Sequence, residues 1–305
     1  MEKTTEISPT NPDLLNKTSP DQHPPAENSS LQPTQTASQE KLKTTPISPI
    51  TEPALNRFYR ISIQCKEDPT NHLLVLERLI QMLCFYLPTH PDPKLEFSPL
   101  EITAFFIEKA NKSAVEAFNL KDYNKAKEEI SRVIEIMNSP GISDIYSKGR
   151  MKLDEAKVLT FNNLSCIYRK NGDHAKSLKV LDFVITIEEK LAVKNPISGI
   201  SIISTYLNKA AVLSEMKNHK ESLNTVKMAD IHLRKALKRY GPKTPEGNHV
   251  KYLEMLTHYN LGSEHEHLKE PENALKDYKK AYELAKEQNR TDFIKELEKI
   301  LKINK

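Results

Sequence analysis

Glycine is scarce, with seven residues in 305, and tryptophan is absent. So little glycine leaves few residues for the tight connections of a strand-rich chain and favours long helices. The three cysteines, Cys65, Cys84 and Cys166, are too few and too scattered for a disulfide framework or a thiolate metal site, so a reducing cytosol is the expected setting. Long apolar runs are missing too. The most apolar stretch, Leu73 to Leu87, is broken by Glu77, Arg78 and Gln81, and Met1 to Thr5 lacks the apolar core of a signal peptide. Neither secretion nor membrane spanning is expected.

What is present divides unevenly along the chain. Residues 1–55 hold nine of the nineteen prolines, fifteen Ser or Thr, no glycine and no aromatic residue. Such a segment cannot bury enough apolar surface to offset chain entropy and is expected to be a disordered tail. Its four lysines face seven acidic residues, which leaves the other 250 residues mildly basic and without the charge of a nucleic-acid binder. Four proline-directed sites, Ser8-Pro9, Ser19-Pro20, Thr45-Pro46 and Ser48-Pro49, would add negative charge on phosphorylation.

Beyond the tail, Leu73, Leu76, Leu79, Ile80, Leu83 and Tyr86 recur at helical spacing and place a helix within residues 71–87. Residues 56–97 form an N-terminal helical, capping segment on this view. Ser98-Pro99-Leu100-Glu101 combines an N-cap serine, a first-turn proline and a capping-box glutamate, so another helix starts there. From this point the chain repeats itself. The segment Leu164 to Leu178 superposes without a gap on Lys209 to Leu223, 45 residues later, and on Leu261 to Leu275 after a further 52; a weaker copy surrounds Ser113 to Ala126.

Small residues recur in each copy: Ala114, Ser165, Ala210 and Gly262 on the first helices, and Ala126, Ser177, Ser222 and Ala274 on the second. Helix axes approach closely only where no bulky side chain intervenes. Larger residues recur as well, Phe161 and Tyr206 on first helices and Ile130, Leu181, Val226 and Tyr278 on second helices. This pattern resembles the tetratricopeptide repeat family, most closely from Tyr259 to Ala281. The units exceed that family's usual 34 residues. In length, and in Asn162-Asn163-Leu164 with Ile187-Glu188-Glu189-Lys190, they are similar to the longer repeats of kinesin light chains.

The resemblance implies an all-α solenoid of stacked antiparallel helix pairs, with about four units over residues 98–290 and an amphipathic capping helix over 291–305. It further implies a non-enzymatic scaffold or adaptor, holding an extended or helical segment of a partner protein in a concave groove lined by the first helices. Asn163, Asn208 and Asn260 recur two residues before the small crossing residue, and such amides pair with a peptide backbone irrespective of its side chains. Asn111, Lys112, Asn162, Arg169, Lys170 and Glu266 fall on neighbouring positions, and their mixed charge suits a peptide of mixed charge. Family members that clamp acidic chaperone tails use a set of groove residues that this chain does not reproduce. Asn163 and Lys209 match part of it, but Asn111 and Val115 stand where Lys and Asn are needed.

His258, His265 and His267 share one helix, but no pair has the i,i+3 or i,i+4 spacing of a helical metal site. No phosphate loop, nucleophile elbow or kinase signature occurs, so neither a catalytic role nor a cofactor is expected. The basic run His232 to Arg239 opens the alternative of a structural subunit in a cytoskeletal, motor or ciliary assembly, although cations near a helix C-terminus also complement its dipole. The expected location is cytoplasmic, with cytoskeletal or ciliary association on that alternative.

Overall fold

The computed structural model describes residues 50–303, apart from 91, 140, 143–144, 146–149, 195–198 and 242, and apart from the side chains of 150–152 and 194. The expected disordered tail therefore lies outside the described residues up to residue 49. Among the described residues there are eleven α-helices and no strand: α1 (Glu52–Gln64), α2 (Pro69–Tyr86), α3 (Pro99–Asn119), α4 (Tyr123–Met137), α5 (Arg150–Lys170), α6 (His174–Lys194), α7 (Ser201–Glu215), α8 (His219–Arg239), α9 (Pro245–His267), α10 (Pro271–Glu287) and α11 (Thr291–Ile300). The chain is an all-α solenoid. No helix among the described residues is long and apolar enough to cross a membrane.

Helix starts follow local chemistry. Ser98 accepts a hydrogen bond from the backbone N–H of Glu101, Asp68 from Asn71, Asp122 from Lys125 and Thr244 from Gly247. Each satisfies one of the amides that a first helical turn leaves without an internal partner. Within units, the first helix ends in a residue with positive φ at a repeat-equivalent position: Lys121, Gly172, Lys217 and Lys269, with φ of 64°, 78°, 63° and 62°. The following residue's N–H then returns to a carbonyl of the last turn, as in Asp173 to Tyr168 and Asn218 to Leu213. One turn geometry thus reverses the chain in all four units.

Four pairs result: α3/α4, α5/α6, α7/α8 and α9/α10. Each second helix packs on the first helix of the next unit, and successive first helices also touch. The crossing positions are tight. Ser177 Oγ donates to the Ser165 carbonyl at 2.9 Å, and Ser222 Oγ makes the equivalent 2.9 Å bond to Ala210. At Gly262 a Cβ would lie 2.7 Å from the Tyr278 ring, closer than real contacts allow.

The core is continuous from α7 to α11, with Leu207, Val226, Met255, Leu256 and Ala281 fully buried. Phe293 and Leu297 of α11 close its end, Phe293 meeting Tyr259 edge-on at 5.9 Å. At the other end, α1 and α2 bury Leu55, Leu79, Leu83 and Tyr86. Gly141, just after α4, lets the chain run against α2, since a Cβ there would come 2.5 Å from Cys84 backbone atoms. Helix α1 begins at Glu52, inside the stretch that composition assigned to the tail. Pro53 sits in its first turn, where proline needs no amide partner.

Candidate functional site

The first helices carry the recurrent asparagines, and the structure sets most of them between helices. Asn111 (α3), Asn162 and Asn163 (α5) are fully buried, and Asn208 (α7) is 2% exposed. Asn111 Nδ2 donates to the Ile107 carbonyl and to Thr160 Oγ1, each at 2.9 Å, while its Oδ1 accepts from Asn163 Nδ2 at 2.9 Å. Thr160 completes the link by donating to the Ala156 carbonyl one turn back. One unit later Asn162 Nδ2 donates to Thr205 Oγ1 at 2.9 Å, and Thr205 donates to Ser201. An amide from one unit therefore meets a threonine hydroxyl from the next, twice in the same register.

Sequence reasoning missed Thr160 and Thr205. The available signal was their recurrence, with Thr257, at the same place in three copies. Thr257 is also fully buried and donates to Leu253, but the position that would feed it an amide is Leu207. The ladder stops there. At the α5/α7 junction a second equivalence fails: the Asn163 to Asn111 bond has no counterpart between Asn208 and Asn162. Both amide atoms of Asn208 and Oδ1 of Asn162 are buried without a hydrogen-bond partner. A buried polar group in that condition costs about 1–3 kcal/mol, so this junction is the least satisfied step of the inner face.

The remaining expected residues are dispersed. Asn260 is partly exposed. Arg169 is 4% exposed, with Nε and Nη1 unpartnered, and Lys170 beside it is partly exposed. Glu266 is exposed and accepts from the Tyr278 hydroxyl at 2.8 Å. Burial, followed by that carboxylate, raises the Tyr278 pKa. Lys112 is exposed on a separate cleft of about 780 Å³ between α2 and the α3/α4 pair, together with His72, Lys109, Lys125 and Glu129. There burial raises the Glu129 carboxyl, and burial with Lys109 and Lys66 holds the His72 imidazole below its ordinary range. The nine residues thus supply two buried inter-helix links and several outlying polar groups, with five of the nine shielded from solvent.

The α9 histidines face acids. His258 Nδ1 lies 2.8 Å from Asp277 and His265 Nδ1 2.7 Å from Glu270, while His267 stacks on His219 at 4.1 Å. Among the described residues no three His, Cys, Asp or Glu side chains converge as a metal site requires. In the basic run of α8, Arg234 is held by Asp230 at 2.7 Å, whereas Lys235, Lys238 and Arg239 are exposed.

Residues 257–288 match the tetratricopeptide repeat family. The matched span covers the second half of α9, the Lys269 turn and α10, the unit where Gly262 meets Tyr278. No curated protein matches the chain significantly. A helical-repeat array carrying such a unit belongs to the class of protein-interaction scaffolds.

Proposed function

We propose that the chain is a non-catalytic cytoplasmic adaptor that binds an extended or helical segment of a partner protein on the face made by α3, α5, α7 and α9. The observation that carries this is the α5/α7 junction. Both amide atoms of Asn208 and Oδ1 of Asn162 are consumed by no internal hydrogen bond, so once uncovered they would offer a partner backbone one donor and two acceptors, while Asn162 Nδ2 keeps its bond to Thr205. Asn260, Lys170 and Glu266 would flank this junction, with Arg169 completing a lining of mixed charge, whereas Lys112 lies apart on the cleft between α2 and the α3/α4 pair. Asn111 and Asn163 would hold the neighbouring junction rigid instead of touching the ligand. Unit lengths of 45 and 52 residues support likeness to kinesin light chain repeats as part of the same proposal.

The test is affinity capture from native extract with the full chain, comparing wild type and an Asn208→Ala, Asn260→Ala double variant of unchanged helicity. Loss of the captured partner supports the groove; recovery of the same proteins by both forms overturns it. The second reading, a structural subunit of a microtubule-based assembly, rests on exposed Lys235, Lys238 and Arg239. It is favoured if co-sedimentation with microtubules survives the asparagine replacements and fails once those three cations are neutralised.

A further inference from the structure

The cleft of about 780 Å³ between α2 and the α3/α4 pair combines an apolar wall with uncompensated positive charge. Leu73, Leu74 and Leu76 of α2 form the wall, and Leu74 is 48% exposed. Lys109 and Lys112 of α3, Lys125 of α4 and Lys66, just before α2, supply the charge, and none of these four lysines makes an ion pair among the described residues. The acids of the cleft do not offset them one for one. Asp122 caps the N-terminus of α4, whose dipole it complements, and Glu128 holds Arg132 at 2.6 Å. Burial raises the Glu129 carboxyl toward its neutral form, which leaves Glu116.

His72 lines the same cleft. It is 7% exposed, its ring tilts against Phe105 at 5.7 Å, and that ring hydrogen-bonds to nothing among the described residues. Burial, Lys109 and Lys66 hold it below its ordinary range, so the fold keeps a neutral imidazole beside two cations. An anion in the cleft would offset both lysines and accept from the ring N–H. The lining of α2, from Pro69 to Leu76, runs about 10 Å along the helix, the length of about three extended residues. Side chains of an extended segment alternate between two sides, so alternating acidic and aliphatic residues would present carboxylates to the lysines and apolar groups to the leucines.

We propose that this cleft is a second interaction site, binding an extended segment of a partner protein in which Asp or Glu alternates with aliphatic residues. Lys109, Lys112 and His72 receive its carboxylates, and Leu74 packs against an aliphatic side chain. The site stands apart from the recurrent asparagines and does not depend on them.

The probe is an acetylated, amidated hexapeptide of alternating glutamate and leucine, titrated into full-length protein while the ring of ¹³C-labelled His72 is followed by NMR. Saturable binding is expected, with a rise in the His72 pKa and an affinity that increases severalfold as pH falls through the histidine range, because bound carboxylate and imidazole proton favour each other. A Lys109→Gln, Lys112→Gln variant of unchanged helicity should bind severalfold more weakly, as should wild type toward the glutamine–leucine and glutamate–alanine versions of the peptide. Lys279→Gln, Lys280→Gln, which removes the same charge from the exposed side of α10, should leave the affinity in place. Absence of saturable binding, an equal loss in the α10 variant, or binding that leaves the His72 pKa unmoved overturns the proposal. So does a His72 pKa already at its ordinary value before peptide is added, a result that assigns the cleft to the chain itself or to a second copy.

Discussion

Asn163 and Asn208 occupy one repeat position yet have opposite energetics. Asn163 satisfies the buried Asn111 carbonyl oxygen, whereas Asn208 satisfies nothing inside the protein. Asn163→Ala should therefore lower stability by about 1–3 kcal/mol, because it strands Asn111 Oδ1 away from water. Asn208→Ala should change it by less than about 1 kcal/mol, since no hydrogen bond is lost and an unsatisfied group is removed. Urea unfolding followed by helicity separates the two; equal losses would mean that Asn208 is bonded in solution. Backbone strain offers a second check at this scale. Lys217 and Lys269 hold positive φ where Gly172 stands in the second unit, and the left-handed region costs a side-chain-bearing residue about 1–2 kcal/mol. Lys217→Gly should raise the melting temperature, and Gly172→Lys should lower it.

Among the elements, the C-terminal helix has the plainest task. Without α11 the apolar side of α10 and the Tyr259 ring would face water, so Leu297 and Phe293 complete the last unit's core. Leu297→Ala should cost about 2–5 kcal/mol in denaturant unfolding. The loss should appear as earlier exposure of α9 and α10 in hydrogen exchange, with α1 and α2 unaffected. This cap was legible in the sequence because its amphipathic period needs only local information, as was the Ser98 start. The unit register was legible for a related reason: small residues mark crossings whichever units meet. Helix α1 was not legible, since composition averaged over 55 residues hides a start at Thr51 whose first-turn proline belongs to a helix as readily as to a loop. Nor was the burial of the asparagines. Their position in the unit could be read, but the pairing of Asn111 with Thr160 and of Asn162 with Thr205 depends on how far successive first helices rotate, which no single unit encodes.

Across the whole molecule, the acid response is set by histidines at several packing surfaces. Burial lowers the pKa of His72, aided by Lys109 and Lys66, and of His232, aided by Lys235; burial alone lowers His249. Each binds protons more readily in the unfolded chain, whose ordinary value is 6.5. Stability from these groups is therefore complete above that value and falls as pH drops below it, because the unfolded state then takes up protons that the fold refuses. Glu129 acts in the opposite sense at more acid pH, since burial raises its pKa and its neutral form suits the fold. The histidine effect should dominate between about pH 6.5 and pH 5.5, before carboxylates titrate. Melting temperature should thus be flat from neutral pH to the upper limit of that window and decline through it. A His72→Gln, His249→Gln double variant should show a shallower decline, whatever its stability at neutral pH. An unchanged slope in that variant would place the acid sensitivity elsewhere, at His232 and His267, whose pKa burial also lowers.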